Sequence, residues 1–187
     1  NPELMLAIKN KIQELMGFEI LNIDKNTIEV QIVAQHLDLD FDTLLRRAML
    51  LLMDMAQTCH DSWKTGDKQS LENIFYQDFD VNRFTYFCLR ELNKNQSRAS
   101  FGRSIIYYLV ESLEDLGDEL KALGKILSGM KQDKEILVLL EKMNELFRMS
   151  YEFFYKPEKK KAVKAFLLVK EISSLIENSL DKKNKDY

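Results

Sequence analysis

Residues 107–127 read YYLVESLEDLGDELKALGKIL. Counting back to Ile106, the apolar positions Leu109, Leu113, Leu116, Leu120, Leu123 and Leu127 recur at alternating spacings of three and four, the period of an amphipathic helix. The spacing predicts a helix over 101–127, closed by Gly129. A single helix with an apolar stripe is marginal in water, so this one must pack on neighbours. Inside it lies LEDLGD, Leu113 to Asp118, in a stretch where Glu111, Glu114, Asp115, Asp118 and Glu119 place five acids in nine residues. Acids three or four apart on a helix repel by a few tenths of a kcal/mol per pair. Gly117 costs roughly 1 kcal/mol against alanine in a helix interior. Such a glycine suits a site where another backbone, or something bound to the main chain, comes close. Glu114 and Asp118 share one stripe about 100° from Leu113, Leu116 and Leu120, so they flank the core. Two readings are open: a solvated acidic face, or carboxylates gathered for a hard cation through oxygen.

The same period continues on both sides. Leu45, Ala48, Leu52, Met55, Cys59 and Trp63 predict a helix over 42–65, with Asp40 or Asp42 as its cap and Thr65-Gly66-Asp67 ending it. Leu71, Ile74, Val81, Cys88 and Leu92 predict a second over 69–95, broken by Asn95-Gln96-Ser97, with Ser100 capping the helix that follows. Downstream, Ile136, Leu139, Leu140, Met143, Leu146, Phe147, Tyr151 and Phe154 predict a helix over 132–155, ended by the restriction that Pro157 places on the residue before it. Ala162, Phe166, Val169, Ile172, Ile176 and Leu180 predict the last, over 158–180, with the polar tail DKKNKDY fraying. Five long helices with short joints read as an antiparallel bundle over 40–182. Residues 1–36 differ. Leu4, Ile8, Ile12 and Leu15 have helical spacing before Gly17, and FEILNI (18–23) and TIEVQIV (27–33) alternate as two strands of a hairpin joined by Asp24-Lys25-Asn26. That small unit is too small to be stable alone and must pack on something. The fold expected is mainly α: a five-helix bundle with a helix-strand-strand unit before it.

Composition narrows the function. The 187 residues are 45% hydrophobic and 30% charged, with net charge −3. This is a globular composition, without the basic domain of a bulk nucleic-acid binder. No apolar run nears the ~20 residues of a membrane span, and no signal peptide is visible. Cys59 and Cys88 form no CxxC and read as reduced core residues of a cytoplasmic protein. The chain begins Asn-Pro, as a fragment of a longer protein does. The two histidines, His36 in an expected loop and His60, make no HExxH or Glu-x-x-His, so a zincin or ferritin-like di-iron site is not supported. No phosphate-cradling glycine motif and no nucleophile–histidine arrangement occurs. Lys159-Lys160-Lys161 reads as a solvated face, or as a contact for anionic lipid or phosphate. Arg46 and Arg47 are available as partners for the acids.

The helix over 69–95 breaks its own pattern. Its inner stripe runs 71, 74, 78, 81, 85, 88, 92, and position 78 is Asp. A buried acid is costly unless paired, hydrogen-bonded or bound to a cation. Asn82 stands one turn on, near the same face. Asp78 either meets an arginine, lies at the bundle edge, or helps to hold a cation.

These segments resemble a known family. YYLVESLEDLGDELKALGKIL is similar to the third helix of a PhoU domain, with Leu113, Glu114, Gly117 and Asp118 on its Leu-Glu-x-x-Gly-Asp pattern. DFDVNRFTYFCLRELNK, 78–94, resembles the second, where Asp78 and Arg83 match and Asn82 replaces the usual aspartate. ELMGFEILNIDKNTIEVQIV followed by FDTLLRRAMLLLMDMAQ resembles archaeal-type PhoU-like regulators, many of which carry an AbrB-like DNA-binding domain upstream. The resemblance spans about residues 10–128, and no second LExxGD follows. It implies a non-enzymatic regulator of phosphate uptake or signalling whose partner is a phosphate transporter or signalling protein. It implies a metal site of Asp78, Asn82, Glu114 and Asp118 for iron, zinc, manganese or magnesium, with the neutral Asn82 weakening it, and a homodimer in which this chain does not itself contact DNA. The alternative expectation is the dimerisation or sensor domain of a transcription regulator whose DNA-binding part lies upstream.

Overall fold

A computed structural model describes residues 2–24, 27–32, 40–94 and 100–185. It is a mainly helical bundle with a small two-stranded antiparallel sheet near the N-terminus. The order is α1 (Pro2–Gln13), β1 (Phe18–Ile23), β2 (Ile28–Ile32), α2 (Phe41–Thr65), α3 (Lys68–Lys94), α4 (Ser100–Gly129), α5 (Lys134–Tyr155) and α6 (Lys159–Lys185). The sequence reading of the helix-strand-strand opening and the five long helices holds within a few residues. The tail differs: α6 continues through Asp181 to Lys185 instead of ending at 180. His36, Val33, Lys25, Asn26 and the break at 95–97 lie outside the described residues.

The ends of the helices follow side-chain chemistry. Asp40, not Asp42, caps α2, its Oδ2 accepting from the Thr43 N–H at 3.1 Å. Gly66 at φ 78° turns the chain after α2. Asp67 then caps α3 by accepting from the Ser70 amide at 3.1 Å and the Ser70 hydroxyl at 2.7 Å. Asp133 caps α5 by accepting from the Glu135 N–H at 2.8 Å. Lys156, before Pro157, has left helical geometry, as the proline requires.

Two compact units divide the chain: residues 1–51 with 75–118, and residues 52–74 with 119–187. In the first, the buried apolar residues include Leu44, Leu45 and Ala48 of α2, Val81, Cys88 and Leu92 of α3, and Val110 and Leu113 of α4. In the second they include Leu52, Met55, Cys59 and Trp63 of α2, Leu71 and Ile74 of α3, and Leu120 and Leu127 of α4. There the side-chain amide of Gln132 donates to the carbonyls of Trp63 and Lys64, which α2 cannot satisfy itself. The Trp63 indole donates to the Asp133 carbonyl at 3.3 Å. Ion pairs Lys142–Glu171 (2.7 Å) and Lys161–Glu152 (3.2 Å), and the Ser179–Glu135 hydrogen bond (2.8 Å), climb α5 as they descend α6, so these two helices run antiparallel. Exposed pairs of this kind fix register more than they stabilise.

Two expected stripes are rotated. On α4, Leu116 is 37% exposed while Gly117 and Gly124 are buried, so the inner face runs Val110, Leu113, Gly117, Leu120, Gly124, Leu127. The glycines belong to the seam, and the leucine row leans to one side of it. At Gly124 the reason is direct: a Cβ there would meet the Leu71 carbonyl oxygen of α3 at 2.8 Å and the Ile74 Cδ1 at 3.0 Å. On α6, Phe166, Val169 and Ile176 are exposed, and Leu168 is buried.

Two outcomes test this packing. Gly124→Ala should lower the melting temperature despite the better helix propensity of alanine, by about 1–3 kcal/mol of overpacking. Gly102→Ala, where nothing lies within 4 Å of the added methyl group, should be neutral or raise it. Burial pushes the Cys59 thiol up to about 12; burial, then the Asp42 and Glu91 carboxylates, do the same at Cys88. Both cysteines are free and should resist a thiol reagent in the folded chain near pH 8, then react in denaturant. The folded pKa lies above the unfolded 9.0, so the stability these thiols contribute is present below pH 9 and is lost between pH 9 and 12.

Candidate functional site

The four site residues predicted from sequence fall in the first unit. Asp78 and Asn82 lie on the inner face of α3, 4% and 9% exposed, as the stripe predicts. Thr85 extends the polar run and is fully buried. Its hydroxyl donates back to the carbonyls of Val81 and Asn82, both at 3.1 Å, so it is satisfied inside its own helix. Asn82 is not: its Oδ1 accepts no hydrogen bond among the described residues. On α4, Glu114 is half-buried and Asp118 exposed, one turn apart on the flank of the core.

The link between the helices is Tyr86, one turn beyond Asn82. Its hydroxyl donates to Glu114 Oε1 at 3.1 Å. Lys11 of α1 donates to the same hydroxyl at 2.6 Å and lies 4.2 Å from the ring centroid. Lys11 also pairs with Glu14 at 2.7 Å. A chain of charge-assisted bonds therefore runs Lys11–Tyr86–Glu114 from α1 through α3 to α4. Burial works against the Lys11 ammonium, but the bonds to Glu14 and Tyr86 outweigh it and raise the pKa above the usual lysine value. Burial raises the Tyr86 phenol, Lys11 opposes this, and the Glu114 carboxylate adds to it, so the net shift is upward and the phenol stays protonated as a donor at neutral pH.

Tyr86 fixes one oxygen of Glu114, as an outer-shell partner orients a ligand. Its other oxygen, the Asp118 carboxylate and the bare Asn82 Oδ1 are hard donors of the kind that magnesium, manganese or ferric iron prefer, and less suited to zinc. Among the described residues no three His, Cys, Asp or Glu side chains form a group that could hold a metal. Sequence reasoning placed Asp78 and Asn82 on the inner face but missed Tyr86 and Lys11. Nothing in the local spacing marks Tyr86 within its aromatic-rich run, and the Lys11 bond joins residues 75 apart.

No described helix is long and apolar enough to cross a membrane. Comparison of the chain with protein families, curated proteins and solved structures finds no match.

Tyr86→Phe keeps the ring and removes the hydroxyl between Lys11 and Glu114. It should cost about 1 kcal/mol in urea unfolding. Lys11→Met should cost less, since that side chain is mostly exposed.

Proposed function

We propose that the chain is a non-enzymatic regulator of phosphate uptake or signalling, acting by protein–protein contact, with a carboxylate cation site on α3 and α4. The support is the order of its motifs: an Asp-x-x-x-Asn pair on α3, LExxGD on α4, and a Gly-Phe-Glu-Ile segment leading into a hairpin and an Arg-Arg helix. One observation carries it furthest. Two polar side chains, Asp78 and Asn82, are buried on the inner face of α3, and Tyr86 one turn on is bonded to the glutamate of the α4 motif. A packing role alone gives no reason for a buried amide oxygen without a donor. Glu114 and Asp118 are the ligands, Asp78 and Asn82 the supporting donors, and magnesium, manganese, iron or zinc the candidate ions. The chain works as a homodimer, and its partner is a phosphate transporter or a signalling protein.

A second reading has an observation of its own. Exposed apolar residues on the hairpin suit a dimerisation or sensor domain of a transcription regulator with its DNA-binding part upstream.

Mass spectrometry of metal content tests the site. The purified chain should retain a divalent or trivalent ion, and a folded Glu114→Ala/Asp118→Ala variant should lose it at least about tenfold. Asn82→Asp adds a charged ligand and should tighten binding. Absence of metal from the parent and from Asn82→Asp, after exposure to iron, zinc, manganese and magnesium, would remove the cation site from this reading.

A further inference from the structure

The hairpin is amphipathic across its whole width. Phe18 pairs with Ile32, Ile20 with Val30 and Ile23 with Ile28, so six apolar residues share one face. Glu19 pairs with Gln31 and Asn22 with Glu29 on the other. α1 lies against β1, and Phe18 and Ile20 are half-buried. The β2 side is open: Val30 is 38% and Ile32 50% exposed.

The two strands treat their outer edges differently. β1 carries a register shift between Ile20 and Asn22, and such a bulge discourages edge pairing. β2, Ile28-Glu29-Val30-Gln31-Ile32, is regular in pairing, carries a single charge, Glu29, and has no lysine or proline. Those are the usual devices that keep an edge from adding a strand. A two-stranded sheet is also below the size that is stable in water.

We propose that the β2 edge pairs antiparallel with β2 of a second copy of this chain, about a twofold axis at Val30, giving a four-stranded sheet. This rests on the homodimer reading above and names its interface. The strand is self-complementary in that register. Val30 faces Val30, Ile28 faces Ile32, and Glu29 faces Gln31, so the apolar face continues across the seam and no like charges meet. A slip of one residue sets Ile28 against Gln31 and mixes the two faces. A two-residue slip either way leaves only three residues of each strand paired instead of five, and the one that sets Ile28 against Val30 also brings Glu29 onto its own copy. Face, charge and the number of residues paired together select the register centred on Val30, which favours a second copy of this chain over an unrelated strand.

Light scattering across a dilution series at micromolar concentration, with circular dichroism as the fold control, tests this. The parent should be a dimer. Val30→Lys sets two ammonium groups on the axis and should weaken the dimer at least tenfold while leaving the helical signal and melting of the bundle intact. Gln31→Lys sets Lys against Glu29 twice and should tighten the dimer, more so at low salt. If Val30→Lys does not fold, Val30→Cys decides: mild oxidation should give a covalent dimer, the native thiols being buried. A monomeric parent overturns the homodimer reading and this interface together. A dimer indifferent to Val30→Lys, or a folded Val30→Cys that does not cross-link, overturns the interface alone.

Discussion

The inner face of α3 carries Asp78, Asn82 and Thr85 where a bundle helix ordinarily carries aliphatic side chains. Withdrawing such groups from water costs about 1–3 kcal/mol each when nothing bonds them, and more for a charged carboxylate. The neighbouring side chains meet that cost in different ways. Thr85 turns back to its own helix. Tyr86, one turn from Asn82, reaches the carboxylate of Glu114 and gives α4 a reason to present acids rather than leucines on that flank. The amide oxygen of Asn82 accepts no hydrogen bond among the described residues. A helix built only to pack would lose nothing by placing leucine at 78 and 82, so the polar stripe marks the level of α3 where chemistry other than packing is to be sought.

The face of α4 is set by a second constraint, the closeness of α3. In the second unit the Leu71 carbonyl occupies the space that a side chain at 124 would take. Glycine at 124 allows that close approach, and the inner seam runs through Gly117 and Gly124 with Leu109, Leu116 and Leu123 to one side of it. The cost in helix propensity is roughly 1 kcal/mol per glycine, offset by the contact that the missing side chain permits. LEDLGD thus meets two separate demands. Its acids lie on the flank, where water and Tyr86 both reach them, and its glycine belongs to the packing seam.

How far this was legible in the sequence depends on how sharply each helix separates its faces. On α2 and α3 the row that the period picks out is the buried one, although Leu50, Phe75, Tyr76 and Phe79 are apolar and exposed off it. Leu45, Ala48, Leu52, Met55, Cys59 and Trp63, and the whole row from Leu71 to Leu92, are buried as the period requires, and spacing alone suffices to place Asp78 inside. α4 has a second run of leucines, Leu109, Leu116 and Leu123, to one side of its true seam, so a count of apolar positions blends that run with the seam, and a glycine scores as a break although Gly117 and Gly124 are buried. α6 is apolar on several sides, with Val163, Phe166 and Leu167 away from the face that holds Leu168, and its period does not choose among them. At the site, spacing along one helix could find donors but not bridges. Tyr86 becomes visible only when Lys11 and Glu114 arrive from helices distant in sequence.

The N-terminal unit is held to α3 by polar contacts more than by a shared core. Lys11 bonds Tyr86, and Arg90 donates to the Met16 carbonyl at 3.0 Å while its guanidinium lies 5.0 Å from the Phe18 ring and 5.2 Å from that of Phe87. Such links are directional. They fix where α1 and β1 sit without covering the apolar face of the hairpin, which a buried core would have consumed. The arrangement separates two demands on one small element. Arginine and lysine orient it, and its hydrophobic side stays available. Because Lys11 ends on the tyrosine that holds Glu114, α1 and the first acid of the α4 motif share one atom, the Tyr86 oxygen.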